Sequence, residues 1–123
     1  MATLNLLKSV LEQLNIARER CMEVEFAVNA NVKKLLQILS EQGLLQLVIC
    51  NNEQIIVKVN KEASSFSASP QLITVRRTNL LQLAAKLVPT VMGNLLIFTR
   101  MGVMSHHEAL HQRMGGQVIG VAF

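Results

Sequence analysis

Residues 93–123 read GNLLIFTRMGVMSHHEALHQRMGGQVIGVAF, and the fold of the carboxyl-terminal half turns on how this run divides. Residues 94–99 are a short apolar run behind Gly93, the pattern of a buried strand, and Arg100-Met101-Gly102 breaks it. A loop is expected next. Ser105 ahead of His106-His107-Glu108 has the form of a capping box, with Ser105 as N-cap and Glu108 at the third position of a short helix. Gly115-Gly116 is expected to stop that helix. Residues 117–123 return as a second strand, with Val118, Val121 and Phe123 available for packing and Gly120 admitting a neighbouring backbone. The expected unit is strand, loop, helical turn, Gly-Gly, strand.

Two incompatible chemistries can be taken from the same run. His107-Glu108-Ala109-Leu110-His111 is a literal H-E-x-x-H, which on a long helix puts two imidazoles on one face for zinc and leaves the glutamate as general base. Catalytic zinc needs a third protein ligand, and no residue after His111 in this sequence is His, Cys, Asp or Glu. The double glycine also cuts the helix within about a turn of His111. A zinc hydrolase is therefore disfavoured, and no metal or other cofactor is expected.

The second reading is a resemblance. Gly102-Val103-Met104-Ser105, His106-x-Glu108-Ala109 and Gly115-Gly116-Gln117-Val118-Ile119-Gly120 with a terminal aromatic resemble the carboxyl end of the small-subunit ribosomal protein eight family. Its bacterial pattern is S-T-S-x-G-V-M-T, then E-A and G-G-E; its eukaryotic and plant-organelle pattern is T-x-x-G-I-M-D-H-E-E-A and G-G-K/Q-V/I-L-G-F-F. The resemblance implies a structural, non-catalytic protein that binds the central domain of the small-subunit rRNA and touches neighbouring small-subunit proteins. It implies that Thr99, Arg100, Gly102, Ser105 and His106 face RNA. Hydroxyls, backbone N–H groups and cations suit structured RNA, which is recognised through shape, phosphates and 2′-hydroxyls. A competing reading has Thr99 and Ser105 merely holding a turn and a cap.

The rest of the chain fits a basic partner-binding domain. Its 123 residues can bury one substantial core. Half of them are apolar, with four Phe and no Trp or Tyr, so the core must be Leu, Ile, Val and Met. Twelve Lys and Arg against eight Glu give a net charge of +4 and a pI near 9.5, compatible with a polyanionic partner. The cations come in pairs, Arg18/Arg20, Lys33/Lys34 and Arg76/Arg77; the latter two pairs join the candidate RNA-binding residues. Cys21 and Cys50 are too few and too far apart for a zinc knuckle or disulfide framework, so buried thiols in a reducing compartment are expected. No apolar stretch reaches transmembrane length, and no small-molecule substrate is indicated.

Residues 4–16 carry apolar side chains at 4, 6, 7, 10, 11 and 14, an amphipathic helix. Val24, Phe26 and Val28 alternate as a strand, and Asn29 can cap a second helix whose buried face is Val32, Leu35, Leu36, Ile38 and Leu39 and whose end is Gly43. Residues 44–50 and 54–59 form a hairpin through Asn51-Asn52, expected in left-handed conformations. Residues 61–70, KEASSFSASP, are Ser-rich and closed by proline, a linker. A strand over 72–77 and a helix over 79–87 before Pro89 complete the order. The fold expected is α+β with two small lobes: an α-β-α-β-β lobe over 1–62, a linker over 63–70, and a mostly β, rRNA-binding lobe with a short helix over 71–123. Glu41-Gln42-Gly43-Leu44 and Ser69-Pro70 also resemble family junctions, while the basic signatures near the first and second helices are largely missing. That loss, the modest charge and the eukaryotic-like tail together point to a mitochondrial ribosome, with a cytoplasmic ribosome and an RNA-free protein scaffold as the alternatives.

Overall fold

Leu4, Leu7, Leu11 and Leu14 recur at spacings of three and four, so one helical stripe carries all four, and all four are fully buried. Their helix, α1 (Ala2–Arg20), runs past the expected end at 16. In the computed structural model, which describes residues 2–60, 65–69, 73–88 and 93–123, Cys21 takes a left-handed φ of 55° and ends it, with the Met22 N–H donating to the Ala17 carbonyl at 3.0 Å. Leu6, expected on the buried stripe, is exposed, because position 6 lies to one side of the 4-7-11-14 line. Both thiols are exposed too, against expectation: Cys21 sits at the helix end and Cys50 at the end of an outer strand.

After α1 come β1 (Glu23–Ala27), α2 (Ala30–Glu41), β2 (Leu45–Cys50) and β3 (Gln54–Val59), and the strands make an antiparallel sheet in the order β1-β3-β2. Val28 falls just outside β1 and is exposed. Asn29 caps α2 as expected, its side chain accepting from the Asn31 N–H at 2.9 Å. Gly43, at φ 77°, ends the helix. The β2–β3 turn departs from expectation: neither Asn51 nor Asn52 has a positive φ. The Asn51 Oδ1 instead accepts from the N–H groups of Glu53 and Gln54 at 2.9 and 2.7 Å, closing the turn by its side chain.

The second sheet is built from β4 (Phe66–Ala68), β5 (Thr74–Val75), β6 (Asn94–Thr99), β7 (Gly102–Ser105) and β8 (Gly116–Ala122), with α3 (Leu80–Leu87) and α4 (His106–Gln112) between them. Its path is β4-β8-β6-β7, and β5 also pairs with β8. Three expectations change here. The run after Gly102 is a strand, because its backbone pairs with β6 from Thr99↔Gly102 to Leu96↔Ser105. The expected linker carries β4, whose Phe66 is buried while its backbone pairs with residues 120–122; residues 61–64 and 70 lie outside the described residues. Strand β5 spans only two residues, so Arg76 and Arg77 stand in the turn after it; residue 72 and Pro89 are outside the described residues.

The molecule is an α+β fold of two lobes, each around an antiparallel sheet. One core joins them: the α1 leucines pack with Leu35, Leu36 and Leu39 of α2, with Ile55, Val57 and Val59 of β3, and with Leu96, Val103, Ile119 and Ala122 of the second sheet. The opposite face of that sheet packs Leu95, Ile97 and Val118 against Leu80 and Ala84 of α3 and Ala109 of α4. Burial on both faces explains why β6 is a continuous apolar run. Among the described residues no helix is long and apolar enough to cross a membrane.

Gly120 is where this packing is tightest. A Cβ there would overlap the Ser67 carbonyl oxygen, and would come within 2.7 Å of the Leu11 side chain and 3.0 Å of the Ala68 Cα. Gly120→Ala is expected to lower unfolding free energy by about 1–3 kcal/mol in urea titration, the usual cost of an overpacked core.

Candidate RNA interface

The β6–β7 hairpin is a two-residue turn, and Thr99 holds it. The Thr99 hydroxyl donates to the Gly102 carbonyl at 2.9 Å and accepts from the Met101 N–H at 3.1 Å, with the side chain buried. Gly102 follows at φ 107°, which favours glycine. The turn thereby presents Arg100 and Met101 outward, Met101 at 72 % exposure. Ser105 is the N-cap of α4, its Oγ accepting from the Glu108 N–H at 3.3 Å. Both hydroxyls therefore do internal work.

His106, expected to face RNA, is turned inward. It is 7 % exposed, and its Nδ1 accepts from the buried Leu95 N–H at 3.0 Å, which requires a neutral ring carrying its proton on Nε2. Burial first, and then the adjacent His107 ring at 3.9 Å, push its pKa from 6.5 down to about 4.

Strand register collects the cations. Val75 pairs with Gly116, and Gln117 pairs with Thr74 on one side and Phe98 on the other. The turns that follow β5 and β6 therefore leave the same end of the sheet, carrying Arg76 and Arg77 from one and Arg100 from the other, all exposed. Asn79 fixes the first turn, its Oδ1 accepting from the Arg76 N–H at 2.9 Å. The start of α2 reaches the same place: Asn31 lines an open cavity of about 590 Å³ with Phe98, Thr99, Arg100, Met101, Gly102 and Gln117. Lys33 and Lys34 lie in the turn of α2 that follows. Sequence reasoning missed Asn31, which carries neither charge nor motif, and Gln117, which stands in the Gly-Gly-Gln motif without being singled out as a site residue.

Gly115 and Gly116 do not stop α4. Arg113 does so, in the left-handed conformation at φ 56°, its N–H donating toward the Ala109 and Leu110 carbonyls. The glycines serve close approach, for a Cβ on Gly115 would overlap the Val75 carbonyl oxygen and one on Gly116 that of Phe98. The H-E-x-x-H residues lie on a helix of seven residues, with His107 and His111 exposed, and no group of three possible metal ligands exists among the described residues.

The model of the family described as Ribosomal protein S8 matches residues 6–123. The chain belongs to that family. No curated protein matches it. The family is one of structural, non-enzymatic ribosomal proteins; as a member of it the chain is a ribosomal protein, located on the ribosome with rRNA and ribosomal proteins as partners.

The buried imidazole gives this S8 chain a pH dependence. In the unfolded state His106 takes up a proton below about 6.5, in the folded state only near 4, so stability falls as pH drops through that window, by roughly 3 kcal/mol. His106→Asn keeps an acceptor for the Leu95 N–H and does not titrate. Urea midpoints measured from pH 7 to 4 are expected to fall less steeply in this variant than in wild type; equal slopes would remove His106 from the account.

Proposed function

We propose that the end of the five-stranded sheet that carries Arg76, Arg77 and Arg100 is the rRNA-docking surface, and that its target is the central domain of the small-subunit rRNA. What supports the reading is the register just described, which brings cations far apart in sequence to one end of one sheet. The Arg100–Met101 turn enters a bent RNA groove, and the cavity beside it, which Asn31 lines, receives sugar and phosphate. Lys33 and Lys34 supply screened attraction from the α2 side. Thr99, Gly102 and Ser105 give the hairpin and the helix start their shape, and His106 braces the same junction from inside. The carboxylates Glu12, Glu19, Glu23, Glu25 and Glu41 lie on α1, β1 and the far end of α2, while Glu53 stands in the β2–β3 turn beside Val28 and Glu108 in α4.

The same reading takes residues 1–62 as an amino-terminal lobe and 71–123 as the RNA-binding lobe, joined through 63–70, of which β4 is paired into the second sheet. It assigns the protein to a mitochondrial ribosome, on the modest net charge of +4 and the eukaryotic-like tail. A scaffold bound mainly to other proteins draws support from Val48 and Ile49, which are exposed on the outer strand β2. Co-sedimentation with ribosomal particles that survives nuclease would favour the scaffold.

The direct test is binding to a central-domain rRNA fragment across a salt series. Arg76→Ala with Arg77→Ala is expected to weaken binding to structured RNA and to lower the slope of log K against log salt by about one to two units, since each lost phosphate contact removes roughly 0.7–0.9. Arg100→Ala should do the same by about one unit. Unchanged slopes in both variants would move the docking surface elsewhere.

A further inference from the structure

Beside the docking surface lies a second, smaller cavity of about 330 Å³, lined by Arg77, Thr78, Leu110 and Arg113. It sits between the turn after β5 and the end of α4, two segments that Gly115 brings into backbone contact. Its lining includes two arginines and a threonine, and among the described residues lining it there is no carboxylate. A planar guanidinium matches phosphate oxygens in two-pronged fashion, and a hydroxyl adds a third donor.

Arg113 is an unusual choice for its place. Its φ of 56° is one that glycine adopts freely and that is unfavourable for residues with a Cβ. Strain kept at the rim of a cationic cavity points to use of the side chain. We infer that this cavity holds one backbone phosphate of the bound RNA, gripped jointly by Arg77 and Arg113 with Thr78 donating. The inference rests on the RNA reading above, which has no need of Arg113.

The experiment uses the full chain and the central-domain rRNA fragment in a salt series, with Arg113→Gly, Arg113→Lys, Arg77→Ala, Arg100→Ala and the Arg77→Ala/Arg113→Gly pair. Arg113→Gly is expected to fold at least as stably as wild type, because the left-handed position is relieved, and yet to lower the salt slope by about one unit. Arg113→Lys should restore that slope. The pair should weaken binding by less than the product of its two single losses, as two residues on one phosphate must. If Arg113→Gly keeps the wild-type slope while Arg100→Ala loses it, the cavity is no phosphate site, Arg113 serves only as a cation at a helix end, and the RNA reading stands. Strictly multiplicative losses in the pair would likewise defeat a shared phosphate. If the wild-type chain does not bind the fragment, the RNA reading fails and takes this site with it.

Discussion

Two sheets that, among the described residues, share no hydrogen-bonded strand pair have to be joined by side chains, and here one helix does most of that joining. The leucines at 4, 7, 11 and 14 of α1 lie between the amino-terminal sheet and the strands β4 and β8, so both lobes bury apolar surface against the same stripe. Burying each such side chain contributes about 1.5–3 kcal/mol. The geometry depends on Gly120, whose missing side chain lets β4 and Leu11 approach β8 together. Beside this shared contact α2 docks directly on β7, which places its start next to the β6–β7 hairpin.

On the second sheet, polar groups are spent inside the molecule so that cations can be spent outside it. Thr99 locks a turn, Ser105 caps α4, and His106 accepts from the buried Leu95 N–H. None of these polar side chains needs RNA to be satisfied, so the hairpin is pre-shaped before any ligand arrives. Arg76, Arg77 and Arg100 are all exposed and sit on turns held by side-chain hydrogen bonds. The H-E-x-x-H sequence shows the reverse case: residue types suited to zinc, on a helix of seven residues that a left-handed arginine closes.

Much of this architecture was legible in the sequence, and the legible parts share one property. The α1 stripe, the Asn29 cap, the Gly43 stop, the Ser105 cap and the apolar run of β6 are each decided by residues within a few positions of one another, where periodicity and capping chemistry act. The tail motifs likewise sufficed to indicate the S8 family. Local reasoning failed where an alternative local solution existed: a side-chain acceptor in place of left-handed asparagines at 51–52, and Arg113 in place of Gly115-Gly116 at the end of α4.

Strand β4 was hidden within a Ser-rich run because its partner, residues 120–122, lies more than fifty positions away. For the same reason no inspection of the chain could place Arg76 and Arg77 beside Arg100, or Asn31 beside Gln117. Those neighbours are set by the pairing of residues 74 and 98 with 117 and by the docking of α2 on β7. The sequence by itself determined the helices, their caps, the apolar strand runs and the excess of cations. Only the tertiary structure decided which cations share a surface and which polar side chains turn inward, because strand register and helix packing couple residues whose separation along the chain carries no local signal.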